Sequence, residues 1–217
     1  IVMEYVEGGT LRDYLKQRGG VLPVEEAVAL VRGIVQGLDH AHRKNLIHRD
    51  IKPANILLEK AAEGVAESGQ VPTPKIVDFG LARTGIDTGV SLSGYGMGTP
   101  AYMPPEQRRD AKSVNHTADI YAIGKTLYQL VSGDEPDNVD PELIPNVSGL
   151  AEVIFKCVKS NPEERYFSAE SLLAALSAVA GKHEKAQSVR AQGTNQCAAC
   201  GVANEAGVKF CVQCGAG

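Results

Sequence analysis

Three polar side chains with complementary chemistry lie close together in the stretch NLIHRDIKPANILL, at residues 45–58. Asp50 offers a carboxylate, Lys52 an ammonium group and Asn55 a carboxamide, and apolar runs flank the three on both sides. Apolar runs usually enter a core, where a buried charge is costly unless it is paired. We therefore interpret the stretch as a loop that presents these side chains between two buried segments.

A fourth polar residue, Asp78, lies near the end of the apolar run KIVDF. If this run pairs with NILLE as a β-hairpin, Asp78 approaches Asn55, and their oxygen atoms suit a hard cation such as Mg2+ that also shares phosphate oxygens. Asp50 could then orient a substrate hydroxyl and accept its proton, while Lys52 neutralises charge on a transferred phosphoryl group. On spacing alone, the alternative of unrelated surface and capping residues stays open.

Two cysteine pairs repeat one design near the end of the sequence, in CAACG (197–201) and CVQCG (211–215). A CxxC turn followed by glycine aims both sulfur atoms at one point, and two such turns supply four soft ligands for tetrahedral Zn2+. The segment resembles a zinc ribbon, and disulfide pairing is the alternative. The predicted zinc ligands are Cys197, Cys200, Cys211 and Cys214.

Helices predominate among the elements that must position these residues. Apolar residues from Ala27 to Leu38 recur at spacings of three and four, which predicts a helix from about Pro23 to residue 44. Thr10 and Asp13 form a capping pair at the start of a shorter helix. Further apolar patterns predict helices over residues 119–131, 150–159 and 168–180.

Short strands and polar segments complete the pattern. IVMEYV (1–6), NILLE (55–59) and KIVDF (75–79) are predicted as strands, the last two pairing as a hairpin. Residues 60–74 are rich in Ala, Gly, Glu and Pro, which predicts a flexible surface excursion. Residues 182–196 are polar and predict a flexible linker that leads to the zinc-ribbon module at 197–215.

Composition narrows the class of protein. Of the 217 residues, 43% are hydrophobic and 22% are charged, as in an ordinary soluble protein. The net charge of −4 gives no support for nucleic-acid binding, and only Lys209 is basic between the cysteine pairs. The longest apolar runs fall well below the roughly 18 residues needed to span a bilayer. Cys157 stands alone at a helix-like apolar position, and we interpret it as a buried small hydrophobe.

Three motifs follow one another along the chain: HRDIKPAN at 48–55, DFG at 78–80 and GTPAYMPPE at 98–106. Together they resemble the catalytic and metal-binding loops of eukaryotic-type protein kinases. A single HRD triplet is a weak signal, whereas the three motifs in this order are specific. The resemblance covers about residues 1–181 and implies the C-terminal lobe of a kinase, mainly α with short β-hairpins.

The resemblance implies a role for each loop residue. Asp50 corresponds to the catalytic base, Lys52 to the contact with the γ-phosphate, and Asn55 and Asp78 to the Mg2+ ligands. Thr99 would bridge toward Asp50 and Lys52. Lysine at position 52, together with GTPAY, is typical of the serine/threonine branch. The expected activity is transfer of the ATP γ-phosphoryl group to protein hydroxyls.

Further roles concern nucleotide binding and the alignment of the lobe. The residues that match ATP-binding positions are Met3 as gatekeeper, Glu4 and Val6 through their backbones, and Leu57 on the pocket floor. Those that match stacked and anchoring positions are His48, Phe79 and Asp119, and those that match the buried ion pair are Glu106 and Arg165. Arg49 before Asp50 implies an activation loop that can be phosphorylated. The candidate hydroxyls, which are otherwise solvated loop residues, are Thr84, Thr88, Ser91 and Ser93.

The sequence departs from the family in several places. It begins at the hinge, and the 217 residues contain neither the glycine-rich phosphate loop nor the strand lysine and helix glutamate of the N-terminal lobe, so we expect negligible activity from these residues alone. Pro104 stands where the family usually has alanine. The segment from Val131 to Pro162 is too short for the family's usual docking helix.

Two function hypotheses follow from the resemblance. The first is a serine/threonine protein kinase, with ATP, Mg2+ and Zn2+ as cofactors, protein substrates, a protein partner at the zinc ribbon and a cytoplasmic location. The reducing cytosol that this location implies disfavours disulfides among the cysteines. The second is a pseudokinase scaffold, whose lobe and ribbon bind partners without catalysis.

Overall fold

A long helix, α2 (Val24–Arg43), lies at the centre of the fold. Its buried residues recur at the spacing of one helical face, and its last turn carries the basic residues His40, His42 and Arg43, which complement the negative end of the helix. The buried face of α2 packs against α4 (Thr117–Ser132) and α6 (Ala169–Gln192). These three helices carry most of the hydrophobic core.

The computed structural model describes residues 4–59, 71–79, 100–110, 114–192, 194–196, 199–200, 202–205, 210 and 213–216. Three shorter helices lie within these ranges: α1 (Leu11–Gln17), α3 (Pro105–Arg109) and α5 (Leu150–Cys157). The predicted capping pair closes a capping box at α1, where Thr10 Oγ1 accepts from Asp13 N and the Asp13 carboxylate accepts from Thr10 N. The prediction of a mainly helical unit is confirmed.

Nearly every residue of α4 is buried, which fits its apolar composition on all sides. The helix packs against α2 on one side and α5 on another. It ends at Gly133, whose φ of 75° lies in the left-handed region that favours glycine at a helix C-terminus. Because α4 is fixed by packing on several sides, it provides a rigid base for the loops that contact its first turn.

Two short strands pair next to the HRD motif. β1 (Ile56–Glu59) runs antiparallel to β2 (Thr73–Ile76), with Ile56 opposite Ile76 and Glu59 opposite Thr73. The predicted hairpin is confirmed, but β2 begins and ends earlier than the predicted 75–79. The reason is the register: β1 ends at Glu59, and its partner across the antiparallel ladder is Thr73.

Other predictions at the strands have mixed outcomes. Residues 4–6, the second half of the predicted first strand, lie outside any strand, and Glu4 and Tyr5 are exposed. Residues 1–3 and most of the predicted surface excursion, 60–70, lie outside the described residues. The end of that excursion is ordered into β2, which begins at Thr73.

The prediction of a flexible linker over residues 182–196 is wrong for most of its length, because α6 continues through Gln192. The segment KHEKAQSVRAQ contains neither Gly nor Pro and is rich in Ala, Lys, Glu, Gln and Arg, which favour helix even without an apolar face. After α6, β3 (Thr194–Gln196) pairs antiparallel with β4 (Ala203–Glu205). Tertiary packing holds the first half of α6, and the helix propensity of the residues that follow favours its continuation.

Between α4 and α5, the described residues 133–149 contain a single 3-10 turn, Pro141–Leu143, and no α-helix. The expectation that this segment is too short for the docking helix is therefore confirmed. Across the described part of the chain, the helices are all too short or too polar to cross a membrane.

Gly8 allows the chain before α1 to approach β1 closely. A Cβ built on Gly8 would lie 1.8 Å from the Leu58 carbonyl oxygen, and Leu58 N donates to Gly9 O at 3.0 Å. The expected result for Gly8→Ala is a loss of about 1–3 kcal/mol in the free energy of unfolding, because backbone must move to relieve the overlap.

The matched control is Gly181→Ala in α6, where an added Cβ has no neighbour within 4 Å among the described residues. There we expect a gain of about 0.5–1 kcal/mol, since alanine favours helix over glycine. Urea denaturation monitored by circular dichroism measures both variants, and equal midpoints for Gly8→Ala and the wild-type chain would contradict the close approach.

Candidate active site

The loop before β1 brings three predicted site residues into direct contact. Lys52 Nζ donates to both carboxylate oxygens of Asp50, at 3.1 and 2.9 Å. Asn55 Nδ2 donates to the Asp50 carboxylate at 2.9 Å and to the Asp50 backbone oxygen at 2.8 Å. The 3-10 turn Pro53–Asn55 folds the chain back, so that the amide returns to the carboxylate five residues earlier. The Asp50 carboxylate is thus held by an ammonium group and an amide.

Asp78 lies beside this cluster because the strand pairing continues past β2. Val77 N donates to Asn55 O at 3.0 Å, which places the residue before Asp78 against the backbone of Asn55. Asp78 is exposed and has a φ of 62°, a conformation that is uncommon for residues other than glycine. Strained backbone of this kind is enriched at functional sites, where surrounding contacts hold it.

His48 packs beneath the loop and is fully buried. Its Nε2 lies 2.8 Å from Val77 O, and its ring meets Phe79 edge to face with centroids 4.8 Å apart. Asp50 N donates to His48 Nδ1 at 3.2 Å. One imidazole therefore ties the HRD segment to the segment that carries Asp78.

Asp119, in the first turn of α4, anchors the backbone of the same loop. Its carboxylate is fully buried and accepts from His48 N at 2.9 Å and from Arg49 N at 2.7 Å. A third contact comes from His42 Nε2 in the last turn of α2, at 2.8 Å. His42 was not among the predicted site residues, and its place in the basic last turn of the helix that leads into the HRD segment was the one local feature that set it apart.

A second support for the loop comes from α3. Gln107 is buried and its Nε2 donates to Arg49 O at 2.8 Å. The neighbouring Glu106 forms a two-pronged ion pair with Arg165, with N–O distances of 2.6 and 2.9 Å. Burial raises the pKa of Glu106, but the hydrogen bonds and positive charge of Arg165, together with a backbone hydrogen bond and the charge of Arg109, more than offset that effect, so that this pKa lies below its ordinary value. The helix α3, which carries the end of the GTPAYMPPE motif, is thereby tied to Arg165.

The residues predicted to contact the nucleotide are only partly described. Glu4 is exposed, and Lys75 Nζ in β2 donates to its carboxylate at 2.6 Å. Val6 is half-buried, and so is Leu57, whose backbone forms a bridge with Thr10. Met3 lies outside the described residues. The segment that precedes α1 is therefore in contact with β1. The adenine contacts themselves stay a prediction.

Several predicted residues lie outside the described ranges: Thr99, the activation-loop candidates Thr84, Thr88, Ser91 and Ser93, and the cysteines Cys197 and Cys211. Of the other two predicted zinc ligands, Cys200 and Cys214 are exposed. Over the part of the chain that the structure describes, no group of three or more His, Cys, Asp or Glu residues is placed to hold a metal ion. Because half of the cysteine set is not described, the zinc site stays a prediction.

Two further features bear on the chemistry. Cys157 is 1% exposed and burial raises its thiol pKa, which confirms the interpretation as a core residue.

A small cavity opens beside Asp50, lined in part by Ile51, Tyr102 and Pro104. Burial, with the charges of Glu135 and Asp137 adding to it, raises the pKa of Tyr102. The side chains around this cavity are thus uncharged over the physiological range, apart from Asp50 and Arg49 at its edge.

The family model for the protein kinase domain matches residues 1–179. The chain therefore belongs to the protein kinase domain family. Among curated relatives, it is 35% identical over 198 residues to the serine/threonine-protein kinase PknL of Mycobacterium tuberculosis, covering 83% of this chain and 47% of PknL. It is also 35% identical to the serine/threonine-protein kinase PknB of Mycobacterium leprae, covering 81% of this chain and 29% of PknB.

A comparison with solved structures agrees on the fold. The crystal structure of the Mycobacterium tuberculosis PknI kinase domain matches with a TM-score of 0.62 at 25% identity, covering 82% of this chain and 64% of that one. The chain thus spans about half of the length of PknL, less of PknB and about two thirds of the PknI kinase domain. The expected kinase fold of the helical unit is confirmed.

Proposed function

We propose that this chain forms the catalytic-loop half of a serine/threonine protein kinase, which transfers the γ-phosphoryl group of ATP to protein hydroxyls. The observation that carries the proposal is the contact of Asp50 with Lys52 and Asn55, next to a segment that presents Asp78. The names of PknL and PknB as serine/threonine-protein kinases support the choice of reaction.

In this proposal, Asp50 orients the attacking hydroxyl and accepts its proton as the new P–O bond forms. Lys52, already 2.9 Å from the Asp50 carboxylate, can turn its remaining N–H group toward the transferred phosphoryl group. Both side chains stay partly accessible, with 40% exposure for Asp50 and 17% for Lys52. Positioning and charge stabilisation account for most of the catalytic effect in this class of reaction.

The residues near Asp50 fit a Mg2+ ion that arrives with ATP. Asn55 uses Nδ2 for both of its hydrogen bonds to Asp50, so its amide oxygen faces the other way and can serve as a ligand. Asp78 adds an exposed carboxylate. An amide oxygen and a carboxylate are the hard donors that Mg2+ takes from proteins, with water and phosphate oxygens filling the other positions. Bound there, the ion would offset the negative charge of the phosphates.

The proposal takes a protein as the second substrate, because PknL and PknB, to which the chain is 35% identical, are named serine/threonine-protein kinases. We propose a cytoplasmic location for this activity.

These 217 residues contain neither the strand lysine that binds the ATP phosphates in the family nor its glycine-rich loop. We therefore propose that they do not catalyse transfer by themselves, and that activity is to be assayed in the protein at its natural length. The test is phosphotransfer from ATP to a protein substrate, followed by phosphoamino-acid analysis, for the wild-type protein and an Asp50→Asn variant. We expect phosphoserine or phosphothreonine whose formation depends on Asp50. If neither the wild-type protein nor the Asp50→Asn variant transfers a phosphoryl group, the pseudokinase scaffold is favoured.

We further propose that the four cysteines at 197–215 bind one Zn2+ as a zinc ribbon. β3 ends at Gln196 and β4 begins at Ala203, and these two residues face each other in the ladder, so the first cysteine pair falls in sequence between two paired strands. A hairpin turn that carries CxxC is the form in which a zinc ribbon presents two thiolates. We propose that the ribbon serves as a protein-contact module.

The expected zinc content of the purified protein is about one ion per chain, because four thiolates satisfy tetrahedral coordination. Metal analysis by mass spectrometry measures it, with Cys214→Ser expected to lower the content and Cys157→Ala, in the core, expected to preserve it. A chain that holds no zinc after loading, and whose four cysteines are found in disulfides, would contradict the zinc ribbon.

A further inference from the structure

We propose that Lys75 is a positioning residue for nucleotide binding, because it ties the segment before α1 to the β1–β2 hairpin. Its Nζ donates to Glu4 Oε1, in that segment, at 2.6 Å and to Glu59 Oε1, at the end of β1, at 3.0 Å. The nucleotide readout of this inference rests on the proposed function, since the adenine contacts belong to that proposal. Its structural readout does not.

Lys75 lies on the face of the hairpin that carries the predicted floor of the adenine pocket. Ile56 and Leu58 are buried, so Leu57 and Glu59, which alternate with them, lie on the opposite face of β1. Lys75 is the partner of Leu57 across the ladder, and residues directly opposite each other share a face. The ammonium group therefore connects the segment before α1 to the same face on which Leu57 lies.

The beginning of that segment has few other contacts that fix it. Residues 4–8 form no strand, and their backbone makes no hydrogen bond to another described residue. Tyr5 is 88% exposed, so packing holds it little. The first backbone bond comes later, from Leu58 N to Gly9 O at 3.0 Å. Exposed backbone without hydrogen bonds opens most easily, and the contact between Glu4 and Lys75 opposes this.

The three charges form a network that differs from an isolated surface ion pair. Exposed pairs contribute little, whereas several linked charges contribute more. The Lys75 side chain is 28% exposed, and its hydrogen bonds to Glu4 and Glu59 hold its pKa above the ordinary value. Two carboxylates meet at this one ammonium group. Its removal therefore takes away an attraction and also leaves two like charges that repel each other.

Nucleotide affinity depends on how well this segment is placed before the nucleotide arrives. In the proposed function, the backbone of the segment contacts adenine while Leu57 lies beneath it. A segment that is already fixed loses less conformational freedom on binding, which favours affinity. The reacting groups Asp50 and Lys52 are held by their own hydrogen bonds. Loss of Lys75 should therefore weaken ATP binding and leave the chemical step nearly unchanged.

The experiment compares Lys75→Met with Lys75→Arg in the protein at its natural length. Methionine keeps an unbranched side chain without the charge, whereas arginine can still donate to both carboxylates. A difference between these two variants reports the hydrogen-bonded charge and not the loss of lysine itself. The matched control is Lys44→Met, which removes an exposed lysine just after α2.

The nucleotide readout combines calorimetric titration with Mg-ATP and steady-state phosphotransfer rates. We expect Lys75→Met to raise Kd for ATP about fivefold while kcat stays within about twofold of the wild-type value. Lys75→Arg and Lys44→Met should bind ATP within about twofold of the wild-type protein. Glu4→Gln combined with Lys75→Met should weaken binding no more than Lys75→Met alone, because both changes remove the same bond.

Hydrogen exchange at the Leu58 amide is the structural readout, since this amide donates to Gly9 O at the end of the same segment. We expect about threefold lower protection of the amide in Lys75→Met, as the loosened segment exposes this bond more often. Protection in Lys75→Arg and Lys44→Met should match the wild-type protein.

An unchanged Kd for ATP in Lys75→Met would overturn the proposal. Equal increases of Kd in Lys75→Met and Lys75→Arg would overturn it as well, because the charge would then not be what places the segment. If the wild-type protein neither binds ATP nor transfers a phosphoryl group, the proposed function fails. Exchange at Leu58 then decides alone whether Lys75 holds the segment, and equal protection in Lys75→Met and the wild-type protein would show that it does not.

Discussion

Replacing Asp50 with asparagine is expected to lower kcat for phosphotransfer by about 10²–10⁴-fold, the usual range for removal of a general base. Asparagine keeps the size of the side chain and can still accept a hydrogen bond from Lys52 through one oxygen. It cannot take up the proton of the substrate hydroxyl at neutral pH. The loss should therefore appear in kcat, with KM for ATP changed by less than about threefold. Steady-state rates at saturating ATP, in the protein at its natural length, measure both.

The matched control for this variant is Asp39→Asn. Asp39 also pairs with a basic residue close in sequence, Arg43, at 2.7 Å, but the pair lies on the surface of α2. The same chemical change there should leave kcat within about twofold of the wild-type value. Activity of Asp50→Asn within threefold of wild type would contradict the role of Asp50, and would leave the network around it as a structural feature.

The sequence predicted which side chains of the loop lie close together, because motif order carries spatial information. Asp50 and Asn55 are five residues apart, and the turn at Pro53 leaves few ways to connect them other than the observed contact. The position of Asp78 followed from one assumption, that the two apolar runs pair, and the hairpin confirmed it. Local spacing and a single strand pairing were enough for this part of the site.

Residues that act from a distance were harder to predict. His42 lies 77 residues from Asp119, and its role depends on how α2 crosses the first turn of α4. No local pattern reports that crossing, and a histidine in the last turn of a helix is explained equally well by the helix dipole. The linker prediction failed for a related reason, since a polar segment without an apolar face can still continue a helix that packing has already started.

The largest effect on stability is expected from Arg165→Met. The guanidinium is fully buried and makes two hydrogen bonds to Glu106 and three to backbone oxygens, those of Thr117, Lys159 and Ser160. It also lies over the Tyr121 ring, with Cζ 4.9 Å from the centroid. Removing it leaves a half-buried carboxylate and three carbonyls without their donor, so we expect a loss of about 3–5 kcal/mol in the free energy of unfolding.

Urea denaturation at neutral pH measures this loss, and Arg43→Met provides the control. Arg43 also forms an ion pair, but its side chain is 69% exposed, so its removal should change stability by less than about 1 kcal/mol. If Arg165→Met and Arg43→Met lower the free energy of unfolding by similar amounts, the buried network around Arg165 stabilises the fold no more than the exposed Arg43–Asp39 ion pair does.

The same network predicts how stability depends on pH. Because the pKa of Glu106 is lower in the folded chain than its ordinary value of 4.5, the unfolded chain binds the proton more readily. The contribution of the pair is therefore fully present above about pH 4.5 and is lost as the pH falls through the folded-state pKa. Glu106→Gln should be less stable than the wild-type chain at pH 7, and the difference should shrink on acidification. A difference that stays constant from pH 7 to about pH 3 would mean that the charge of Glu106 is not what holds Arg165, and that the carbonyls of Thr117, Lys159 and Ser160 suffice to keep it in place.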